Sequence, residues 1–244
     1  MAQALIEGLR LSGANSVHEQ YLDALVRGRK EPFTAELFAR SVHEGATVID
    51  GGAYLGFYAL LAGRRVGPDG TVIAFEPNPD TFEVLSRNVR DNGFEDRVIP
   101  LLVGIDASTR RRPFYLGRGD ESKSSLFVPR RWRAVTETEC TSLDEALGAR
   151  PVDVVKLDLE GGEVEALRGM RRTLAASPQA NLIVECNPEA LVRAGTSPRT
   201  LLRELDRAGF DVSAIDDERW ELHPVDAMTV AGSGHVNLYC RRMR

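Results

Sequence analysis

The chain has little cysteine, no long apolar run and no excess of positive charge. Its three cysteines, Cys140, Cys186 and Cys240, lie far apart with no C-x-x-C pair. That excludes a disulfide framework and a thiolate zinc site, and suits reduced thiols. No stretch approaches the ~20 apolar residues of a membrane span. The opening Met1-Ala2-Gln3-Ala4-Leu5-Ile6-Glu7 lacks the pattern of a secretory signal. A cytoplasmic setting with no membrane partner is therefore expected. A formal net charge of −5 argues against general nucleic-acid binding. Arg110-Arg111-Arg112 and Arg130-Arg131-Trp132-Arg133 are local basic spots, read as solvated loop faces with contact to an anionic substrate as the functional alternative.

What is present is an alternation of strands and helices. At 244 residues and 43% hydrophobic, the chain is long enough for a substantial core. Apolar runs predict strands near 46–51, 71–76, 97–103, 152–157, 180–186, 210–215 and 235–240. Helical periodicity fills 55–66, 79–92, 162–173 and 197–208, with Gly93 and Gly209 where helix C-caps are expected. Such alternation predicts an α/β fold, a seven-stranded mainly parallel sheet with helices on both faces. The last strand follows a strand without an intervening helix, so it should run antiparallel. The first 44 residues read as helical, from Tyr21-x3-Leu25 and Phe33-x3-Leu37, and are expected to cap the site. A polar stretch over 109–141 breaks the rhythm and reads as a strand or hairpin with a long loop, of the kind that forms lids or selects substrates. One domain over 1–244 is expected, with a cap at 1–44 and a core at 45–244 that carries the 109–141 insertion.

The site signals sit at strand ends. Val48-Ile49-Asp50-Gly51-Gly52-Ala53-Tyr54-Leu55-Gly56 is a buried strand running into a glycine turn, and Val72-Ile73-Ala74-Phe75-Glu76-Pro77 is a second strand closing on an acid. Glycines let the backbone approach a ligand, and an acid in the place of Glu76 can accept both ribose hydroxyls. The pyrophosphate-holding G-x-G-x-x-G is missing, since Gly52 to Gly56 spells G-x-x-x-G. Asp50, just before the glycines, suits an ammonium group better than a pyrophosphate. S-adenosylmethionine, with its ammonium, ribose and no phosphate, is the cofactor these features match.

Two further strands end on acids at the same rim. Val154-Val155-Lys156-Leu157-Asp158-Leu159-Glu160-Gly161-Gly162 would place Lys156, Asp158 and Glu160 on one side if the strand continued that far. Glu163 and Glu165 read as helix-dipole and surface acids. Glu185 closes Leu182-Ile183-Val184-Glu185, with function and structure equally open. His235 begins the terminal alternating strand after Gly232-Ser233-Gly234, where a turn residue is more common than a base.

The motifs Ile49-Asp50-Gly51-Gly52-Ala53-x-x-Gly56, Ala74-Phe75-Glu76-Pro77, Thr141-Ser142-Leu143-Asp144-Glu145 and Val155-Lys156-Leu157-Asp158-Leu159-Glu160-Gly161-Gly162-Glu163 resemble the FkbM family of S-adenosylmethionine-dependent methyltransferases over roughly residues 30 to 240. Ile183 to Pro188 and Asn237-Leu238 fit as well. The resemblance implies a class I (Rossmann-like) methyltransferase fold and O-methylation of a sugar, polyketide or other natural product. Two positions depart from the family pattern. Tyr54 stands where an Asn is usual, so contacts to the methionine end should come from backbone. Gly51 replaces a branched residue and is expected to loosen the strand end.

On this reading Asp50, Gly51, Gly52, Tyr54 and Gly56 serve the methionine side, and Glu76 with Pro77 the ribose. Gly104 and Ile105 flank the adenine. Asp158 sits nearest the methyl as base or substrate orienter, with Glu160, Glu185 and His235 as weaker candidates. The expected partner is a small-molecule acceptor, and a homodimer through the N-terminal helices stays open. No resident metal is assigned. The rival readings are Mg²⁺-assisted transfer through Asp158, Glu160 and Glu185, a non-catalytic cofactor- or partner-binding module on the same fold, and, more weakly, an NAD-dependent oxidoreductase.

Overall fold

The computed structural model describes residues 2–148, 150–225 and 234–242. In chain order the elements are β1 (Ala2–Ile6), β2 (Leu9–Gly13), α1 (Ser16–Val26), α2 (Pro32–Ser41), β3 (Thr47–Gly51), α3 (Phe57–Arg65), β4 (Thr71–Phe75), α4 (Pro79–Asp91), β5 (Val98–Leu101) and β6 (Gly104–Ile105). There follow β7 (Arg110–Gly117), β8 (Trp132–Thr141), α5 (Leu143–Leu147), β9 (Val154–Leu157), α6 (Glu163–Arg168), α7 (Arg171–Ala176), β10 (Asn181–Cys186), α8 (Pro188–Arg193), α9 (Pro198–Arg207), β11 (Phe210–Asp216), β12 (Glu221–Pro224) and β13 (Val236–Arg242).

The central strands are apolar on both sides because helices cover both faces. Along β4, Val72 and Ala74 join one core cluster while Ile73 and Phe75 join the other. The same period of two splits Val48 from Ile49 and Val154 from Val155. The helices carry matching signals. In α9, Pro198 occupies the first turn, Ser197 caps Thr200, and Leu201 and Leu205 are buried. Gly93 and Gly209 adopt positive φ just beyond the ends of α4 and α9, as C-cap glycines do.

The main sheet has the order β12-β11-β13-β10-β9-β3-β4-β5. Strands β5, β4, β3, β9 and β10 are parallel, and β13 inserts antiparallel between β10 and β11. This is the class I methyltransferase arrangement with one addition: the sheet has eight strands rather than seven. The extra strand, β12, is a short edge strand hairpinned to β11 through a turn at Trp220.

The N-terminus is not wholly helical. β1 and β2 form a hairpin before α1, with Glu7 and Gly8 both at positive φ in its turn. Only Leu9 and Leu11 alternate clearly into the core, too short a run to outweigh the helical periodicity that follows. The helix expected over 162–173 is split into α6 and α7. A Cβ on Gly169 would lie 2.4 Å from the Asp106 carbonyl, so the backbone at Asp106 crosses close by there. The third expected strand, 97–103, is the shorter β5 in the main sheet, and just beyond it β6 joins β8 and β7 in a separate three-stranded sheet. Among the described residues no helix is long and apolar enough to cross a membrane. The three cysteines are buried and unbridged.

Candidate active site

The carboxyl ends of β3, β4, β9 and β10 face one open cavity. Its first wall is built mainly of backbone. Gly52 adopts φ +78°, and a Cβ there would lie 1.9 Å from the carbonyl oxygen of Asp158, so only glycine lets the two strand ends come together. The amides of Gly52 and Ala53 both donate to the Phe75 carbonyl at 3.0 Å, tying this turn to the end of β4. Glu76 follows at once. Its two carboxyl oxygens accept from the Tyr54 amide at 2.9 Å and the Asn78 amide at 2.8 Å, which fixes the group on the cavity wall. Burial lifts its pKa to about 7 against those two amides.

Tyr54 is itself left-handed, with φ 51°. An Asn takes that conformation readily, whereas a Tyr costs about 1–3 kcal/mol. Edge-on contacts to the rings of His18 at 5.5 Å and Tyr21 at 5.1 Å, both from α1, offset the strain. Pro77, Gly104 and Ile105 also line the cavity. Asp50, Gly51 and Gly56 lie behind the wall. Gly51 does not loosen the strand: a Cβ there would lie 2.8 Å from Ile105 Cδ1 and 3.1 Å from Leu157 Cδ2, so neighbours fill the space. Asp50 is 1% exposed, accepts from the Ala59 amide and is raised by burial to about 6, with Lys156 pulling the other way.

The second wall is built of charged side chains from distant segments. Strand β9 ends at Leu157, yet Asp158 and Glu160 both reach the cavity, because Glu160 takes φ 50° and turns the chain. Lys156 is buried, 3.2 Å from Asp158 Oδ2, with its Nζ 4.5 Å from the centre of the Tyr58 ring. Burial alone would raise Asp158, but Lys156, Lys30 and Lys123 outweigh it and hold the carboxyl near 2. Tyr58 Oη donates to Glu31 Oε2 at 2.8 Å, and Lys30 Nζ donates to Glu31 Oε1 at 2.6 Å. Lys123, from the 109–141 insertion, pairs with Glu160 at 2.5 Å. Three ammonium–carboxylate pairs therefore line this side.

Glu185 completes it. The residue is 3% exposed, its Oε2 has no partner, and burial beside Asp158, Glu160 and Glu163 drives its pKa well upward. One oxygen each from Asp158, Glu160 and Glu185 lies within 4.8 Å of the others, a spacing that suits a cation. Lys156 and Lys123 already sit against two of the three.

Besides Asp50, Gly51 and Gly56, expected on the methionine side but lying behind the wall, the structure relocates His235 and Glu163. His235 is exposed and does not line the cavity. β13 enters the sheet with Val236 opposite Cys186, which leaves His235 beyond the last pair, and the buried Asn237 faces Glu185 instead. Gly232 and Ser233, before it, lie outside the described residues. Glu163 is no surface acid. It is 1% exposed and accepts from the amides of Leu159 and Gly161, clamping the turn after β9, and burial lifts it to about 7. Lys30, Glu31 and Tyr58 escaped the sequence reading, and so did Lys123, which stood there only as one member of a polar run. The single local signal for the first pair is Lys30-Glu31 directly before Pro32, where Glu31 is left-handed at φ 51°.

The insertion is folded over the cavity. A 3₁₀ turn at Glu121–Lys123 carries Glu121 to the buried His18, whose Nε2 lies 2.9 Å from Glu121 Oε2. Because His18 Nδ1 accepts from the Ala14 amide, Nε2 is the protonated nitrogen and donates. Asn15 Nδ2 donates to the same oxygen at 3.0 Å.

Residues 50–212 match the methyltransferase FkbM domain. The chain belongs to that family. This FkbM-family methyltransferase is 29% identical over 202 residues to a hexuronic acid methyltransferase of Haloferax volcanii, a match covering 79% of this chain and 74% of the relative. It is 35% identical over 115 residues to the 31-O-demethyl-FK506 methyltransferase FkbM of Streptomyces tacrolimicus, covering 46% and 44%. Its fold matches a methyltransferase structure from Geobacter sulfurreducens with a TM-score of 0.50 at 21% identity, covering 97% and 93% of the two chains.

Proposed function

We propose that this enzyme uses S-adenosylmethionine to methylate a hydroxyl of a polar small molecule. The observation that carries the reading is the meeting of Glu76 and Asp158 in one cavity, on either side of the Gly52 turn. The chain fits the cofactor. Glu76 is held on the wall by two amides with lone pairs left for ribose hydroxyls, and Gly52 to Tyr54 offer a backbone cradle. Val103, Gly104 and Ile105 present a mostly apolar face suited to adenine. When bound, the cofactor supplies an activated sulfonium methyl group, so the protein's main task is alignment.

Asp158, ionised through its contact with Lys156, accepts a hydrogen bond from the acceptor hydroxyl and orients it. A carboxylate held near 2 is a weak base. Proton uptake therefore falls to a more basic neighbour, and Glu185, with an unpartnered oxygen and an upward-shifted pKa, is the one we assign. The paired charges of Lys30–Glu31 and Lys123–Glu160 suit a polyhydroxylated acceptor better than an apolar ring, since they offer both donors and acceptors. The hexuronic acid named for one relative is of that kind.

The deciding experiment is calorimetric titration with S-adenosylhomocysteine, beside NAD. Micromolar binding of the former alone is expected. Binding of NAD instead would overturn the reading.

A further inference from the structure

A groove leaves the cavity at Lys123 and Glu160, which line both spaces. Its walls carry Arg118, Arg130 and Arg131, and the Arg118 amide donates to the Arg131 carbonyl at 3.3 Å, which holds the two sides together. Among the described residues, just over half of the arginines pair with a carboxylate, several of them in shared clusters. Arg110 and Arg112 share Asp106, and Arg168, Arg171 and Arg207 share Glu204. Among the described residues, Arg118, Arg130 and Arg131 have no carboxylate within ion-pair distance. The groove also carries Asp120, Glu160 and Glu189; Glu160 pairs with Lys123 and Glu189 with Arg193, which leaves three guanidinium groups against the single carboxylate of Asp120. That excess of positive charge favours an oxyanion, and the planar guanidinium donors match phosphate oxygens. Trp132 lines the continuation of the same groove and is 46% exposed, so one ring is available for stacking.

We infer that this groove binds a phosphate or diphosphate group of the methyl acceptor, so that the acceptor is a phosphate-bearing polyol rather than a neutral one. The inference rests on the methyltransferase reading for the word acceptor, but the anion site is a property of the groove alone. The phosphate belongs either to a soluble molecule, such as a nucleoside diphosphate sugar, or to a lipid headgroup.

The test uses the full chain carrying Trp220→Phe, which leaves Trp132 as its only tryptophan. Inorganic pyrophosphate and uridine diphosphate are titrated by calorimetry and by Trp132 fluorescence, and phosphatidylglycerol vesicles by co-sedimentation. Two triple variants follow in the same background: R118Q/R130Q/R131Q, and a control of equal charge, R65Q/R199Q/R203Q. The inference expects pyrophosphate binding that weakens with salt and falls at least tenfold in the groove variant, with the control unchanged. Uridine diphosphate binding that quenches Trp132 marks a soluble source, and vesicle binding lost only in the groove variant marks a lipid one. Equal loss in both variants, or no binding of any probe to the parent protein, overturns it. S-adenosylhomocysteine affinity, expected to stay within twofold in the groove variant, reports separately on the methyltransferase reading.

Discussion

The two walls of the cavity are made differently. The Glu76 wall is assembled from residues close in sequence, and its contacts are mostly backbone: a glycine turn, two amides on one carboxylate, a strand end. The Asp158 wall gathers charged side chains from α1–α2, the 109–141 insertion, β9 and β10. A backbone wall recognises what does not vary from one reaction to the next. A side-chain wall changes with single substitutions, so under the proposed function it is the wall assigned to acceptor choice.

The sharpest test of that contrast is Asp158→Asn. It should lower kcat by about a thousandfold, as expected for loss of a group acting on the reacting hydroxyl, while leaving S-adenosylhomocysteine affinity within about tenfold. An affinity loss as large as the rate loss would merge the two walls into one function.

Glu185→Gln should lower kcat by about a hundredfold. A proton acceptor works only when ionised, so the rate of the parent enzyme should rise with pH through the elevated pKa of Glu185, and the variant should lose that limb. A variant that keeps the parent's pH profile would remove Glu185 from proton transfer.

Glu163 separates stability from catalysis. Its native pKa of about 7 lies above the ordinary carboxyl value of 4.5, so the folded state holds the proton more tightly. That contribution is complete below about 4.5 and is lost as pH rises through 7, amounting to about 3 kcal/mol. Denaturant titrations from pH 4.5 to 8 should show this decline in the parent protein on top of the like-signed contributions of Asp50, Glu76 and Glu185, and Glu163→Gln should make it shallower by about 3 kcal/mol.

On the backbone wall, Glu76→Ala should weaken S-adenosylhomocysteine about thirtyfold, near 2 kcal/mol, through lost charge-assisted hydrogen bonds. Calorimetry reads it directly. The smallest expected effect is that of exhaustive chelation. Turnover should be unchanged, because Lys156 and Lys123 already supply positive charge to Asp158 and Glu160. A loss restored by Mg²⁺ would assign the carboxylate trio to a cation.

What could be read in the chain follows the same division. The parallel core strands, the Gly52 turn, Glu76 at the end of β4 and Asp158 at the end of β9 were legible because each depends on a local pattern: an apolar run, a glycine, a strand-ending acid. The terminal strand's antiparallel sense was legible too, from the missing helix before it. The β1–β2 hairpin was not, since two alternating leucines lose to the longer helical periodicity downstream. Nor was the break between α6 and α7, which exists because the Asp106 backbone crosses at Gly169.

The sequence by itself determined the parallel sheet and the acids at its carboxyl edge, because burial on two faces and the geometry of a strand end are set within a few residues. Only the tertiary structure decided that Lys30, Glu31, Tyr58 and Lys123 meet Asp158, Glu160 and Glu185, that Glu163 is an internal clamp, and that His235 stays outside. Those outcomes depend on how segments dozens to more than a hundred residues apart pack together. Lys30–Glu31 and Lys156–Asp158 are near neighbours along the chain, but nothing beside them says that the two pairs meet each other or that Lys123 reaches Glu160.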